Sequence, residues 1–226
     1  MPVLVIPLLT TLIAGFIMIV VLGKPLSSLM TALTNGLNSL SGGSAVILGI
    51  VLGLMMAFDM GGPLNKVAYT FATTGLTAAA VASANATAPL KIMAAVMLAG
   101  MVPPLALALA TVVRPKLFSP AERENGKAAW LMGASFITEG AIPFAAADPL
   151  RVIPSIMAGS AVTGALSMAL GVGLRAPHGG IFVLFAVLNI VGFLIALVAG
   201  VLVAAGLVVL LKGMSKTNAE EITAVA

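Results

Sequence analysis

The sequence contains no cysteine, one histidine, one tryptophan and one tyrosine, and only 8% of its 226 residues are charged. The missing thiols exclude a disulfide framework, a thiolate metal site and any cysteine that could carry a covalent phosphoryl or acyl group. A lone histidine offers no transition-metal ligand spacing, so neither a metal nor another cofactor is expected. Charge this scarce, against about a quarter of residues in an average soluble domain, excludes a water-soluble monomer. There is no P-loop, dinucleotide fingerprint or serine, histidine and aspartate series. The 11 basic residues lie in a few loops rather than along one stripe, which leaves nucleic-acid binding without support.

What the chain has in abundance is apolar length. Hydrophobic residues make up 61% of it and the mean hydropathy is +1.19. Its 24 glycines and 13 prolines fall within apolar stretches, as in helices that cross lipid. The long unbroken runs exclude a strand-period barrel. At about 20 residues per crossing, the length holds at most some seven or eight membrane segments. Met1 to Leu9 lacks a basic leader, so the first apolar segment is expected to stay in the mature protein. The expected fold is an all-α, multi-pass helical membrane protein with broken or re-entrant helices and one amphipathic surface helix. Residues 1–213 form the membrane domain and residues 214–226 a polar tail.

Val3 to Leu22 reads as a first crossing. From Pro25 to Leu40, Leu26, Leu29, Met30, Leu33, Leu37 and Leu40 recur at helical spacing opposite serines, threonines and asparagines, the pattern of the amphipathic helix. Ala45 to Phe58 is a further apolar helix whose Gly49 and Gly53 permit close helix approach. Val67 to Ala84 is apolar enough to span or to form a re-entrant hairpin. Ile92 to Val113 is a crossing in which Pro103 and Pro104 remove two backbone donors and are expected to kink it. Val152 to Leu174 is another. Gly180 to Leu211 is too long for the hydrocarbon layer unless it tilts, protrudes or bends near Asn189 and Gly192. The charged loop Arg114 to Lys127 is placed in the cytoplasm by its basic excess. If the tail with Lys212 and Lys216 is also cytoplasmic, the intervening crossings must be even in number. Ala128 to Ala147 should then enter and leave on one side.

Charges away from segment ends carry the chemistry. Glu139 stands alone within Ala128 to Ala147, beside Gly140 and Pro143. An acid at membrane depth costs about 2.5 to 3.5 kcal/mol on insertion scales, so something must compensate it. Broken helices of this kind build binding sites in transporters, while a glutamate snorkelling at a loop end is the plainer alternative. His178 sits in the turn Arg175 to Gly180 and reads either as a turn-capping residue or as a site residue. Asp59, Asn65 and Lys66 flank Gly61, Gly62 and Pro63, an element able to present amide donors and a lysine to an anion, or simply a surface loop. Asp148 and Arg151 follow the broken segment and read as a structural pair.

Three segments in order, Phe58 to Lys66, Ser135 to Pro154 and Leu174 to Phe182, resemble the fructose-family membrane component, enzyme IIC, of the bacterial phosphotransferase system. The similarity runs from about Val3 to about Lys212. It implies a sugar permease, with fructose as the first candidate, that takes its phosphoryl group from a phosphocysteine on a IIB partner, charged in turn through IIA, HPr, enzyme I and phosphoenolpyruvate. On this resemblance the chain is the membrane component of a sugar phosphotransferase, not catalytically complete alone. It would lie in the bacterial cytoplasmic membrane, among lipid, as a homodimer. Family members carry further membrane helices ahead of the segment matching Val3, which this chain is expected to lack or to receive from a second polypeptide.

Glu139 and His178 match the residues that hydrogen-bond the sugar in the family and form the expected catalytic pair. Asp59, Asn65, Thr138 and Gly140 complete the expected sugar-binding set. Phosphoryl transfer depends on positioning and charge stabilisation, so Lys66, Arg151 or Arg175 would steady the developing anion. Two alternatives stand beside this reading. One is an ion-coupled secondary transporter with Glu139 as the proton or sodium site; the other is a truncated membrane subunit without activity of its own.

Overall fold

The structure is a computed structural model that describes residues 2–17, 20, 24–25, 27–28, 31–32, 35 and 45–225. The chain divides into two units, Met1–Ser39 and Leu40–Ala226. The described part of the first unit is chiefly α1 (Pro2–Phe16), an apolar helix with Pro7 inside it and with the Thr10 hydroxyl donating to the carbonyl of Ile6. The amphipathic helix expected over Pro25 to Leu40 lies outside the described residues apart from isolated positions.

The second unit is built around α5 (Ala88–Val113), buried along most of its 26 residues and about 39 Å long at 1.5 Å per residue. Against it pack α2 (Ala45–Phe58), α6 (Pro120–Ala134), α8 (Pro149–Ala169) and α9 (Ile190–Val225). Three of these helices are long and apolar enough to cross a membrane, over Ala88–Val113, Pro149–Ala169 and Ile190–Met214. With lipid-like surroundings offering no hydrophobic drive between helices, close packing of small residues and interhelical hydrogen bonds must hold them. α8 supplies both. The Gly164 backbone abuts Gly49, that of Ser160 abuts Gly53, and Gly159 backs onto Gly200 of α9, leaving no room for a Cβ at any of these glycines. Its hydroxyls reach outward: Ser160 donates to the Ala99 carbonyl at 2.8 Å and Thr163 to that of Ala196 at 3.0 Å.

Three segments stop at the middle of α5 and turn back. α6 starts from a capping box in which the Ser119 hydroxyl and the Glu122 carboxylate satisfy each other's backbone N–H groups. It runs antiparallel to α5, with Gly126 against Thr111 and Gly133 against Leu105, and ends where the Thr138 hydroxyl meets the carbonyl of Gly100. A 3-10 turn (Thr138–Ala141) and α7 (Ile142–Ala147) lead back, past a Phe118 and Phe144 edge contact, to Asp148. Glu122 and Asp148 both lie on Lys212, at 2.9 and 3.6 Å. The segment therefore leaves on the side where it entered, as the sequence predicts, although its first helix begins at Pro120 rather than Ala128.

α2 and α3 (Pro63–Thr74) form an opposed hairpin. α2 starts beside Met168 of α8 and brings Met56 to Gly100; α3 returns until Gly75 lies on Pro89 at the start of α5. The Val67 to Ala84 stretch is thus the return leg of a hairpin begun by α2, and it breaks before the short α4 (Ala78–Ala82).

The third excursion corrects an expectation. Gly180 to Leu211 is not one bent helix. Val187–Leu188 (β2) pairs with Gly173–Leu174 (β1), the intervening residues dip inward through a 3-10 stretch (Gly180–Ala186), and α9 begins only at Ile190. Asn189 makes the break, at φ 66°, by donating to the Leu170 carbonyl and accepting from the Gly192 N–H. That short polar side chain tolerates a left-handed backbone and caps the new helix at the same time.

Candidate functional site

The tips of all three excursions meet around one cavity of about 120 Å³, lined by Met56, Asn65, Lys66, Tyr69, Phe136, Ile137, Thr138, Glu139 and His178. The Asp59 to Gly62 turn closes the α2 and α3 hairpin. Both Asp59 oxygens are taken up by the first turn of α3, accepting from the N–H groups of Leu64 at 2.7 Å and Asn65 at 3.0 Å. A carboxylate there satisfies orphan helix donors and suits the positive end of the helix dipole. Asn65 is buried and donates to the Met56 carbonyl at 2.8 Å, tying the two legs together. One turn of α3 then aims Lys66 across the gap, where its Nζ lies 3.4 Å from Glu139 Oε1.

That contact answers the electrostatic question raised by the sequence. The glutamate, level with the middle of α5, faces a lysine from the opposing hairpin, so the cavity carries an ion pair rather than a bare carboxylate. The pair is long and loose for a charge-assisted bond. Its side chains are 56% and 43% exposed, which leaves carboxylate oxygens facing the cavity. Gly61, at φ 112°, lies so close to this carboxylate that a Cβ would come within 2.5 Å of Oε1.

His178 reaches the same cavity from the third excursion. Gly180 packs directly on the Ala134 carbonyl and its N–H faces the Met97 sulfur at 3.2 Å, which seats the loop at the end of α6. The imidazole then lies 5.0 Å from the Phe136 ring, whose other neighbour is Tyr69 at 6.1 Å. Phe136 holds a left-handed backbone, φ 67°, to sit there. A bulky residue in that region costs on the order of 1–3 kcal/mol and persists only where packing enforces it.

Of the residues singled out in the sequence, Asn65, Lys66, Thr138, Glu139 and His178 line the cavity; Asp59, Gly140, Arg151 and Arg175 do not. Gly140 lies against Met132 and Pro104. Arg175 donates from Nη2 to the Ser83 carbonyl at 2.8 Å, near the start of α5. Arg151 pairs with Asp148 at 3.0 Å, beside Lys212 at the base of the α6 to α7 hairpin. Sequence reasoning missed the Lys66 and Glu139 pairing, the cluster of tilted Tyr69, Phe136 and His178 rings, and the contact of Gly61 with the carboxylate. The first was within reach: Lys66 is a charged residue in a motif flanked by apolar segments, as Glu139 is.

Comparison with known proteins identifies the family. The family model for "Phosphotransferase system, EIIC" matches residues 1–159. The chain is 56% identical over 214 residues to the fructose-specific EIIB'BC component of Rhodobacter capsulatus, covering 93% of this chain and 36% of that protein. It is 49% identical over 206 residues to the fructose-specific EIIB'BC component of Escherichia coli (strain K12), with 90% and 35% covered. Against the fructose permease IIC component of Bacillus amyloliquefaciens the identity is 48% over 211 residues, with 93% and 66% covered. The chain thus spans about a third of the length of the first two of these relatives. No solved structure matches. With 159 of 226 residues inside the family model, the chain belongs to the EIIC family of membrane components of the phosphotransferase system.

Proposed function

We propose that the chain forms the sugar-handling core of a fructose permease, in which Glu139 and His178 bind the sugar and a phosphorylated IIB partner supplies the phosphoryl group. The observation that carries this reading is the convergence of three chain reversals on a single carboxylate. Irregular backbone at membrane depth is tolerated only where it lines a cavity or is buried in protein, and here it lines a cavity with a carboxylate, an ammonium and an imidazole. A neutral polyol suits such a set. Carboxylate oxygens accept hydroxyl hydrogen bonds, and the paired charges cancel.

In the transfer step a sugar hydroxyl attacks phosphorus on the donor, the bond from phosphorus to the cysteine sulfur breaks, and the hydroxyl proton passes to Glu139 or His178. Lys66 is the cation within the cavity and steadies the developing anion; Arg151 and Arg175 act at a distance from it, through structural contacts. The added negative charges then disfavour return through lipid. The relatives named as EIIB'BC components support a IIB partner. Six basic residues, Arg114, Lys116, Arg123, Lys127, Arg151 and Lys212, gather at the end where α6 begins, against Lys91 and Arg175 at the other. That bias supports placing the base of the α6 to α7 hairpin on the cytoplasmic side of the inner membrane. The outward apolar face of α9, with Leu194, Val198 and Leu202 exposed, supports contact with lipid or with a second copy.

The test is fructose phosphorylation by membranes containing the chain, with purified phosphorylated IIB as donor. Glu139→Gln is expected to abolish it, and full activity in that variant would remove Glu139 from the mechanism. Uptake that follows an ion gradient and yields unmodified sugar would instead favour a secondary transporter.

A further inference from the structure

We propose that Thr138 is a positioning residue that fixes Glu139 at mid-depth, and that Pro103 and Pro104 supply the acceptor it needs. An α-helix pairs each N–H with the carbonyl four residues earlier. Proline has no N–H, so Pro103 leaves the carbonyl of Ala99 unpaired and Pro104 that of Gly100. In the buried middle of a membrane helix such a carbonyl demands a donor. Both find one. Ser160 of α8 donates to Ala99 at 2.8 Å, and Thr138 donates to Gly100 at 2.8 Å.

Thr138 is 3% exposed and Ser160 is fully buried, so neither bond has water as a substitute. A threonine hydroxyl has one hydrogen to give, and that of Thr138 is spent on α5. It therefore cannot donate to a sugar while the helix is satisfied. What it does is set the register of the hairpin tip. Gly100 clears the space: a Cβ there would meet Phe136 directly and come 2.8 Å from both Met56 Cε and Thr138 Oγ1. Glu139 follows one Cα step later, about 3.8 Å along the chain, inside a four-residue 3-10 turn. Successive carbonyls of a helix sit about 100° apart around its axis. The proline pair thus ties α5 to the α6 to α7 hairpin on one side and to α8, the partner of α2, on the other. It sets the depth at which the opposed tips face each other.

The importance of Glu139 for sugar rests on the permease reading; the anchoring does not, and the experiment separates the two. In one arm the cysteine-free chain receives Lys66→Cys and Glu139→Cys, and the rate of bridging by a short bifunctional thiol reagent reports how the tips face each other. In the other arm, equilibrium fructose binding is measured with both residues intact. Thr138→Ser keeps the donor and is expected to leave both readouts within about twofold. Thr138→Val keeps the shape, loses the donor, and is expected to lower bridging and fructose affinity each by about tenfold. Unchanged bridging in Thr138→Val overturns the proposal, including the case where fructose binding alone is lost, since the hydroxyl would then contact sugar. If the unaltered chain binds no fructose while bridging falls as described, the permease reading fails and the anchoring stands. Pro104→Ala covers a Thr138→Val chain that does not fold: it returns a competing N–H to Gly100, and bridging is expected to slow by about threefold. Unchanged bridging there overturns the proline's part.

Discussion

Two lysine and glutamate pairs hold the α6 to α7 hairpin, one at its tip and one at its base, and they are opposites. At the base, Lys212 lies 2.9 Å from Glu122 with the two side chains 9% and 10% exposed, and the ammonium also sits 4.9 Å from the centre of the Phe118 ring. At the tip, Lys66 and Glu139 are 3.4 Å apart and about half exposed. The base pair has traded hydration for short contacts and extra partners: Glu122 also accepts from the Ser119 N–H, and Lys212 reaches Asp148. The tip pair has kept its carboxylate available. A charge that holds a fold is closed off on all sides, whereas one that handles a guest must have an oxygen to spare.

The base should therefore answer to stability measurements and the tip to functional ones. Lys212→Met leaves the nearly buried Glu122 carboxylate without its ammonium, while Asp148 keeps Arg151, and breaking a buried pair in this way costs roughly 3–5 kcal/mol, read as a lowered melting temperature in detergent. pH sharpens the point. Burial raises the Glu122 pKa, but the Ser119 and Lys212 hydrogen bonds and the Lys212 charge outweigh it and hold the carboxyl below its ordinary 4.5. A depressed carboxylate contributes stability above its unfolded pKa and loses it as pH falls through the folded value. The stability that this pair contributes should be constant from pH 7 down to about 5 and fall below about 4.5. In Lys212→Met the deficit should shrink on acidification, because protonation relieves the stranded charge. A Lys212→Met chain that melts like the intact one would erase the contrast between base and tip.

Much of this organisation is legible in the sequence, and the limits have physical causes. Apolar length locates α5 and α8, and the parity of basic loops requires the α6 to α7 hairpin to return to its own side. Glu139 stands out because a lone acid in an apolar run needs compensation. What spacing cannot reveal is depth. Ala45 to Phe58 has the composition of a crossing, yet it ends half-way, because the Asp59 carboxylate caps α3 and the glycines turn the chain. Gly180 to Leu211 is too long for one straight crossing, and the break falls at Asn189, where the sequence allows a bend; the inward 3-10 stretch ahead of it is hidden because the apolar run is continuous. The partner of Glu139 lies 73 residues away on a hairpin that enters from the opposite end, a pairing that no local pattern encodes.

An intermediate effect belongs to Gly61, where the two tips touch. Alanine there must hold φ 112° and place its Cβ within 2.9 Å of the Glu139 Cδ and Cγ atoms. Backbone strain of this kind costs on the order of 1–3 kcal/mol, and part of the clash is relieved if the carboxylate swings away. Gly61→Ala should lower the melting temperature less than Lys212→Met does, yet reduce phosphotransfer at least tenfold. If instead it destabilises the fold while sparing transfer, the tip contact belongs with the structural pair at the base.

The smallest stability effect is expected at Lys66. Exposed pairs contribute about 0–1 kcal/mol, and this one is both long and open to water, so Lys66→Ala should shift the melting temperature by no more than about 2–4 °C in a chain of this size. Its functional effect should be uneven. On the proposed reading the carboxylate and the imidazole hold the fructose hydroxyls, so affinity should change by less than about threefold, whereas the anion that would develop as phosphorus changes partners loses its one cation among the residues lining the cavity and transfer should fall by about a hundredfold. Equal losses in binding and transfer would mean that Lys66 serves only to orient Glu139. A large loss of stability would mean that the loose pair at the tip is, like the tight one at the base, a clasp.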